Sequence, residues 1–141
     1  MRYMMFYKPD PHRQQAPTPE GMAAMATFIE EMIRSGALLA TDGLKSPSPH
    51  DARVQLRKGD FTVTDGPFTE AKEVIAGYAV VQCDTRDEAV ALAKRFLAVA
   101  GDGASEIHPI FEPEDFAQVC APEEVARERA WRDELSKKAS R

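Results

Sequence analysis

The stretch Val74-Ile75-Ala76-Gly77-Tyr78-Ala79-Val80-Val81-Gln82-Cys83, followed at once by Asp84-Thr85-Arg86-Asp87-Glu88-Ala89, decides the fold. Its first part is apolar or small apart from Gln82 and rich in β-branched residues, the composition of a strand inside a sheet. Thr85 then stands three residues before Glu88, the spacing of a capping box that satisfies unpaired backbone donors at a helix start. Ala89, Leu92, Ala93, Phe96, Leu97 and Ala100 recur at helical spacing, and Gly101-Asp102-Gly103 ends the run. Glu106 to Phe111 reads as a further strand. The region is therefore strand, helix, strand.

The N-terminal region has the same order. Tyr3 to Tyr7 is an apolar, aromatic strand stopped by Lys8-Pro9-Asp10-Pro11, and the loop continues to Pro17. Thr18 is an N-cap, Pro19 suits the first helical position, and Glu20 complements the positive helix end. Met22, Met25, Ile29, Met32 and Ile33 predict one apolar face, and Gly36 a stop. Ala37 to Ala40 reads as a strand leading to a turn at Asp42-Gly43.

Between these halves, the Pro- and Ser-containing segment Lys45 to Asp51 reads as loop. Val54 and Leu56 then alternate with Arg53, Gln55 and Arg57, and Phe61 and Val63 alternate with Thr62 and Thr64. With Lys58-Gly59-Asp60 between the runs, this predicts a β-hairpin. Without the hairpin the order is β-α-β-β-α-β, the ferredoxin-like split unit of the α+β class. Two helices would cover one sheet face and leave the other apolar and bare, which predicts a homodimer. Pro122, Glu123 and Glu124 open a C-terminal helix whose large apolar residues are Val125, Trp131 and Leu135. So narrow a stripe suits packing across a neighbour or a partner subunit. The expected division is a domain over residues 1–116 and a helical extension over 117–141.

Composition excludes several classes. A chain of 141 residues suits one domain. A net charge of −5, with no Lys/Arg stripe, gives no nucleic-acid footprint. Cys83 and Cys120 form neither a zinc motif nor a disulfide framework and read as apolar thiols. No stretch has the length of a membrane span, so the expected location is the cytoplasm. There is no GxGxxG, phosphate-binding loop or metal cluster, and no cofactor is expected.

One stretch is built differently: Val63-Thr64-Asp65-Gly66-Pro67-Phe68-Thr69-Glu70-Ala71-Lys72-Glu73. Asp65-Gly66-Pro67 is a turn in which Asp accepts backbone amide bonds, Gly frees the chain and Pro restricts it. Phe68 reads as an anchor against the core. Glu70, Lys72 and Glu73 place two carboxylates and an ammonium together, suited to acid–base work. They suit a solvated ion-pair cluster as well, and the residues by themselves favour that. His12, His50 and His108 are isolated in sequence. His12, in the loop after the first strand, is the best placed for proton transfer near neutrality. Arg53 and Arg57 fit either an anionic ligand or an ordinary polar strand face.

The string Asp65-Gly66-Pro67-Phe68-Thr69-Glu70-Ala71-Lys72-Glu73 resembles the signature of the DGPF subgroup of YCII-related proteins, usually DGPF-A-E-T-K-E. Arg2 to Met5, Thr18-Pro19-Glu20 with Met22, Ile75 to Tyr78, Asp87-Glu88-Ala89, and Glu106-Ile107 with Pro109 and Phe111 are similar to that family's other segments. The resemblance covers residues 2–116. Two features depart from the pattern: Thr69 and Ala71 exchange the usual small residue and threonine, and Gly21-Met22 falls where the wider group carries a proposed histidine. The resemblance implies a dimeric α/β barrel of ferredoxin-like subunits, a His/Asp site in the wider group, and linkage to extracytoplasmic-function sigma factors. Two functions follow as expectations. One is a small-molecule pocket near the signature, with Asp65, Glu70 and His12 running acid–base chemistry and Phe68, Lys72, Glu73 and Arg53 holding the ligand. The other is a non-catalytic regulatory protein of a sigma-factor system. A cavity holding Asp65, Glu70 and His12 favours the first; a solid interior with the signature locked in turn hydrogen bonds favours the second.

Overall fold

The computed structural model describes residues 1–12, 16–70, 72 and 74–139. In chain order its elements are β1 (Arg2–Pro9), α1 (Pro19–Arg34), β2 (Leu38–Gly43), β3 (Ala52–Arg57), β4 (Asp60–Asp65), β5 (Gly77–Gln82), α2 (Arg86–Ala100), β6 (Gly103–Pro109) and α3 (Pro122–Ala139). A 3₁₀ turn at Pro113–Phe116 precedes α3. The helix starts follow from their caps. The Thr18 hydroxyl accepts the Gly21 N–H at 3.0 Å, and the Thr85 hydroxyl accepts the Glu88 N–H at 3.2 Å. The Glu88 carboxylate reaches back to the Asp84 N–H at 2.8 Å, one residue earlier than a strict capping box.

β2, β5, β1 and β6 form a four-stranded sheet in that order, with every neighbouring pair antiparallel. Set the β3–β4 hairpin aside and this is the ferredoxin-like order. The hairpin is a separate two-stranded sheet pairing Val54 with Val63 and Leu56 with Phe61. Alternation along β1 assigns the two sheet faces. Tyr3 and Met5 point towards the helices and are buried with Val81, Cys83, Ala89 and Ala93. The alanines of α2 keep its contact face low, so the helix backbone lies close to the sheet. Burial also raises the Cys83 thiol above its ordinary pKa, as expected for an inert core cysteine.

Several expectations change. Asp42-Gly43 is not a turn: β2 runs through both residues, pairing Asp42 with Tyr78 and Gly43 with Gly77. β5 starts at Gly77 rather than Val74, and β6 ends at Pro109. On α1, Met25, Phe28, Ile29 and Met32 are the residues turned inward, whereas Met22 and Ile33 are each 61% exposed. Met22 lies in the first turn, ahead of the stretch that reaches the sheet. The bare sheet face is mixed rather than apolar. Met4, Phe6 and Val80 share it with Lys8, Tyr78, Glu106 and His108, as the strand register requires. Trp131 and Leu135 remain exposed, so α3 does not pack them on its own domain. The helix is held by polar contacts instead: Arg132 donates to the Phe111 carbonyl at 2.9 Å, and Arg129 pairs with Glu114.

Val81 is the most enclosed large side chain, at 2% exposure, and pairs with Tyr3 and Leu38 across the sheet. Val81→Ala is expected to cost roughly 2 kcal/mol of unfolding free energy in urea titration. Val119→Ala, at an 81% exposed position, should change stability by less than about 0.5 kcal/mol. Equal effects would contradict this placement of the core.

Candidate functional site

The helix-facing side of the sheet has an unfilled row. Gly43 pairs with Gly77, Gly77 with Tyr7, and Tyr7 with Ser105. Two adjacent strands thus contribute no side chain at neighbouring positions. Gly77 is also favoured there by a close approach: a Cβ would lie 3.1 Å from the Asp42 carbonyl. At Gly43 a Cβ would meet nothing nearer than the Ala76 carbonyl at 4.0 Å. Met25, Phe28 and Met32 of α1 and Phe96 of α2 cover the row without filling it. The result is a cleft of about 220 Å³ between helices and sheet. Exposure along its strand walls rises from buried Val81 to exposed Asp42 and Gly43, so the cleft opens at the glycine end.

The lining is aromatic and sulfur-rich. The Tyr7 and Phe96 rings meet edge to face, with centroids 5.2 Å apart at 82°, and Phe28 lies 6.4 Å from Phe96. The Tyr7 hydroxyl donates to the Asp102 carbonyl at 3.4 Å, the long end of the hydrogen-bond range. Burial first, and the charge of Asp102 second, raise its pKa above the ordinary phenol value. Tyr7 is therefore protonated at neutral pH, a donor rather than a base. On the other face of these strands, the Tyr78 hydroxyl donates to Asp42 Oδ2 at 2.8 Å, and that bond raises the Tyr78 pKa. The Thr41 hydroxyl donates to the Tyr78 carbonyl at 2.9 Å. Among the described lining residues there is no Lys, Arg or His, and Asp42, whose backbone stands at the rim, turns its carboxylate to the opposite face with Tyr78. Among the described residues no group of three or more His, Cys, Asp or Glu is placed to hold a metal.

On the opposite face lies a polar row. Lys8 Nζ donates to Glu106 at 2.8 Å and to the Lys72 carbonyl at 3.4 Å, and His108 Nε2 lies 3.7 Å from Glu106. The Lys8 bond holds the Glu106 carboxyl below its usual range. This is where the signature loop reaches the sheet.

The residues singled out from sequence lie away from the cleft. None of Asp65, Glu70, His12, Phe68, Lys72 and Arg53 lines it. Glu73 lies outside the described residues. Glu70 and Lys72 pair at 3.2 Å, but both are largely solvated, the ion-pair arrangement that the residues favoured. Phe68 is half-buried under the Arg53 guanidinium, 4.4 Å from ring centre to Cζ, rather than anchored in the core. His12 is exposed, and its backbone N–H donates to the Asp10 carboxylate at 2.9 Å. The signature turn is locked by a different carboxylate from the one expected. Asp51 Oδ2 accepts the Ser48 N–H at 2.8 Å and the Ser46 hydroxyl at 3.2 Å, and its carbonyl accepts the Gly66 N–H at 2.6 Å. Gly66 is pressed so close that a Cβ would sit 2.6 Å from Asp51 Cβ. Asp65 is exposed and its side chain accepts no hydrogen bond among the described residues.

The sheet order and helix cover define a ferredoxin-like α+β domain. Within that class, the chain belongs to the YCII-related domain family, whose profile matches residues 1–114. No protein of curated function matches it. One solved structure similar to it is 5-chloro-2-hydroxyhydroquinone dehydrochlorinase from Burkholderia phenoliruptrix AC1100 in complex with 2,5-dihydroxybenzoquinone. It is 9% identical, over 79% of this chain and 95% of that one, with a TM-score of 0.42. No helix among the described residues is long and apolar enough to cross a membrane.

The turn geometry yields a direct comparison. Asp51→Ala is expected to lower stability by about 1 kcal/mol, the usual cost of losing a cap-like carboxylate. Asp65→Ala should change it by less than about 0.5 kcal/mol. Thermal melts of both variants check this, and a larger loss for Asp65→Ala would reverse the assignment.

Proposed function

We propose that this YCII-related chain, a member of the DGPF subgroup, is a cytoplasmic homodimer that binds a small molecule in the cleft between α1 and the sheet. The observation that supports it is the Gly43–Gly77 pair, which leaves the helix-facing side of two strands bare under Phe28 and Met32. Glycine weakens a strand, so two of them side by side at a cleft suit a site that needs space. Concave apolar surface with a few polar groups is the usual form of a small-molecule site. Tyr7, protonated and held by one long hydrogen bond, is the donor best placed to meet a ligand oxygen. The solvated Asp65 and Glu70 are not part of this site, and acid–base chemistry by them is not part of the proposal.

The homodimer rests on surface rather than on the cleft. Val54, Leu56, Phe61 and Val63 are 63–72% exposed on one side of the hairpin. An isolated two-stranded hairpin is marginal in water, so a covered face is expected. The half-apolar open sheet face has the same need. Light scattering at micromolar concentration should give twice 15.6 kDa. A stable monomer would contradict the dimer without touching the cleft.

The cleft itself is tested with N-phenyl-1-naphthylamine, an uncharged fluorescent probe. Saturable fluorescence enhancement is expected in the natural protein. Gly43→Leu, which fills the open position, should weaken it by at least about tenfold, or 1.4 kcal/mol, with the circular dichroism spectrum retained. Binding unchanged in folded Gly43→Leu would remove the cleft as the site. The alternative reading, a regulatory partner of an extracytoplasmic-function sigma factor, is supported by the resemblance and calls for no such binding.

A further inference from the structure

We infer that the cleft selects uncharged aromatic molecules bearing one polar oxygen and turns anions away because it offers them no cation; this rests on the cleft being the binding site. The selection follows from what the walls can and cannot offer. Tyr7, Phe28 and Phe96 present ring edges and faces at angles that already favour tilted aromatic contacts. A flat ligand extends that arrangement, because edge-to-face and offset pairs are attractive beyond their buried area. Met5, Met25 and Met32 supply flexible thioethers, which adapt in shape and gain from contact with ring edges. A saturated ring of the same size forfeits both gains.

The polar groups set the other half of the selection. Tyr7 and Ser105 stand opposite each other in one cross-strand row of the cleft floor. Tyr7 already spends its proton on a carbonyl at 3.4 Å, a contact long enough to be exchanged for a better acceptor. A phenol or ketone oxygen is such an acceptor. A carboxylate has a harder entry. Among the described lining residues it meets no cation, and burying an unpaired carboxylate is strongly disfavoured. Lys8 is committed to Glu106 on the opposite face. Asp42 lies on that face too, opposite Tyr78 in the register and bonded to its hydroxyl at 2.8 Å, so its charge takes no part in the cleft.

The test uses three matched probes, 2-naphthol, 2-naphthoate and decahydro-2-naphthol, titrated calorimetrically into the full chain at pH 7. In the natural protein, 2-naphthol is expected to bind at least about tenfold more tightly than 2-naphthoate, and several-fold more tightly than the saturated alcohol. Naphthoate binding as tightly as naphthol overturns the charge selection, and equal binding of the saturated alcohol overturns the aromatic selection. If N-phenyl-1-naphthylamine occupies the cleft and 2-naphthol does not bind, the ligand class is wrong while the site stands. If neither binds, both fall.

Discussion

Everything in this fold depends on the pairing of β1 between β5 and β6. A strand held on both edges has no freedom to slip, and its alternation divides the molecule. Tyr3, Met5 and Tyr7 go to the helices; Met4, Phe6 and Lys8 go to the open face. Every neighbouring residue inherits its face from that register. Val81 is buried because it lies opposite Tyr3, and Ser105 floors the cleft because it lies opposite Tyr7. A shift of one residue would put Lys8 under α2 and Tyr7 in solvent.

The same register produces the vacancy. At the Tyr3 level the row is Leu38, Val81 and Tyr3, and it is closed by side chains. At the Tyr7 level it is Gly43, Gly77, Tyr7 and Ser105, and it is not. Helices are stiff and cannot sag into one row of a sheet, so the missing side chains become space rather than a closer contact. The core is thus well filled at one end of the sheet and open at the other. The β3–β4 hairpin and α3 lie outside this two-layer body, and each carries exposed apolar residues. The chain consequently presents two different surfaces of interest: an internal cleft suited to a small ligand, and an external apolar surface suited to another subunit.

What could be read from sequence was local. Thr18 and Thr85 announced their helices because a cap is a contact between residues three apart. The hairpin was legible because alternation over β3 and β4 is contained in a short stretch. Asp42-Gly43 misled for the same reason: the pair is a turn signal in isolation, and its extended state comes from Tyr78 and Gly77, far along the chain. The turn-locking role that Asp65 suggests in isolation belongs to Asp51, whose partners Ser46, Ser48 and Gly66 are assembled only when the hairpin closes. The cleft was the least legible feature, since its floor joins residues from all four strands of the main sheet. The helical stripe contains Met25 and Met32 as core residues and omits Phe28, and Gly43 in isolation is a turn signal. The small residues Gly43, Gly77 and Ala79 on inward strand positions were the available signal, and they acquire meaning once the register is known.

The central claim is that a ligand enters on the helix side of the sheet. The six methionines make this directly visible. Met5, Met25 and Met32 line the cleft, Met4 points to the open face, and Met1 and Met22 are exposed. With methyl-labelled methionine, addition of 2-naphthol should shift the NMR signals of Met5, Met25 and Met32 together while Met1, Met4 and Met22 stay in place. Shifts confined to Met4, with the three cleft methyls unmoved, would put the ligand on the opposite face and contradict the account.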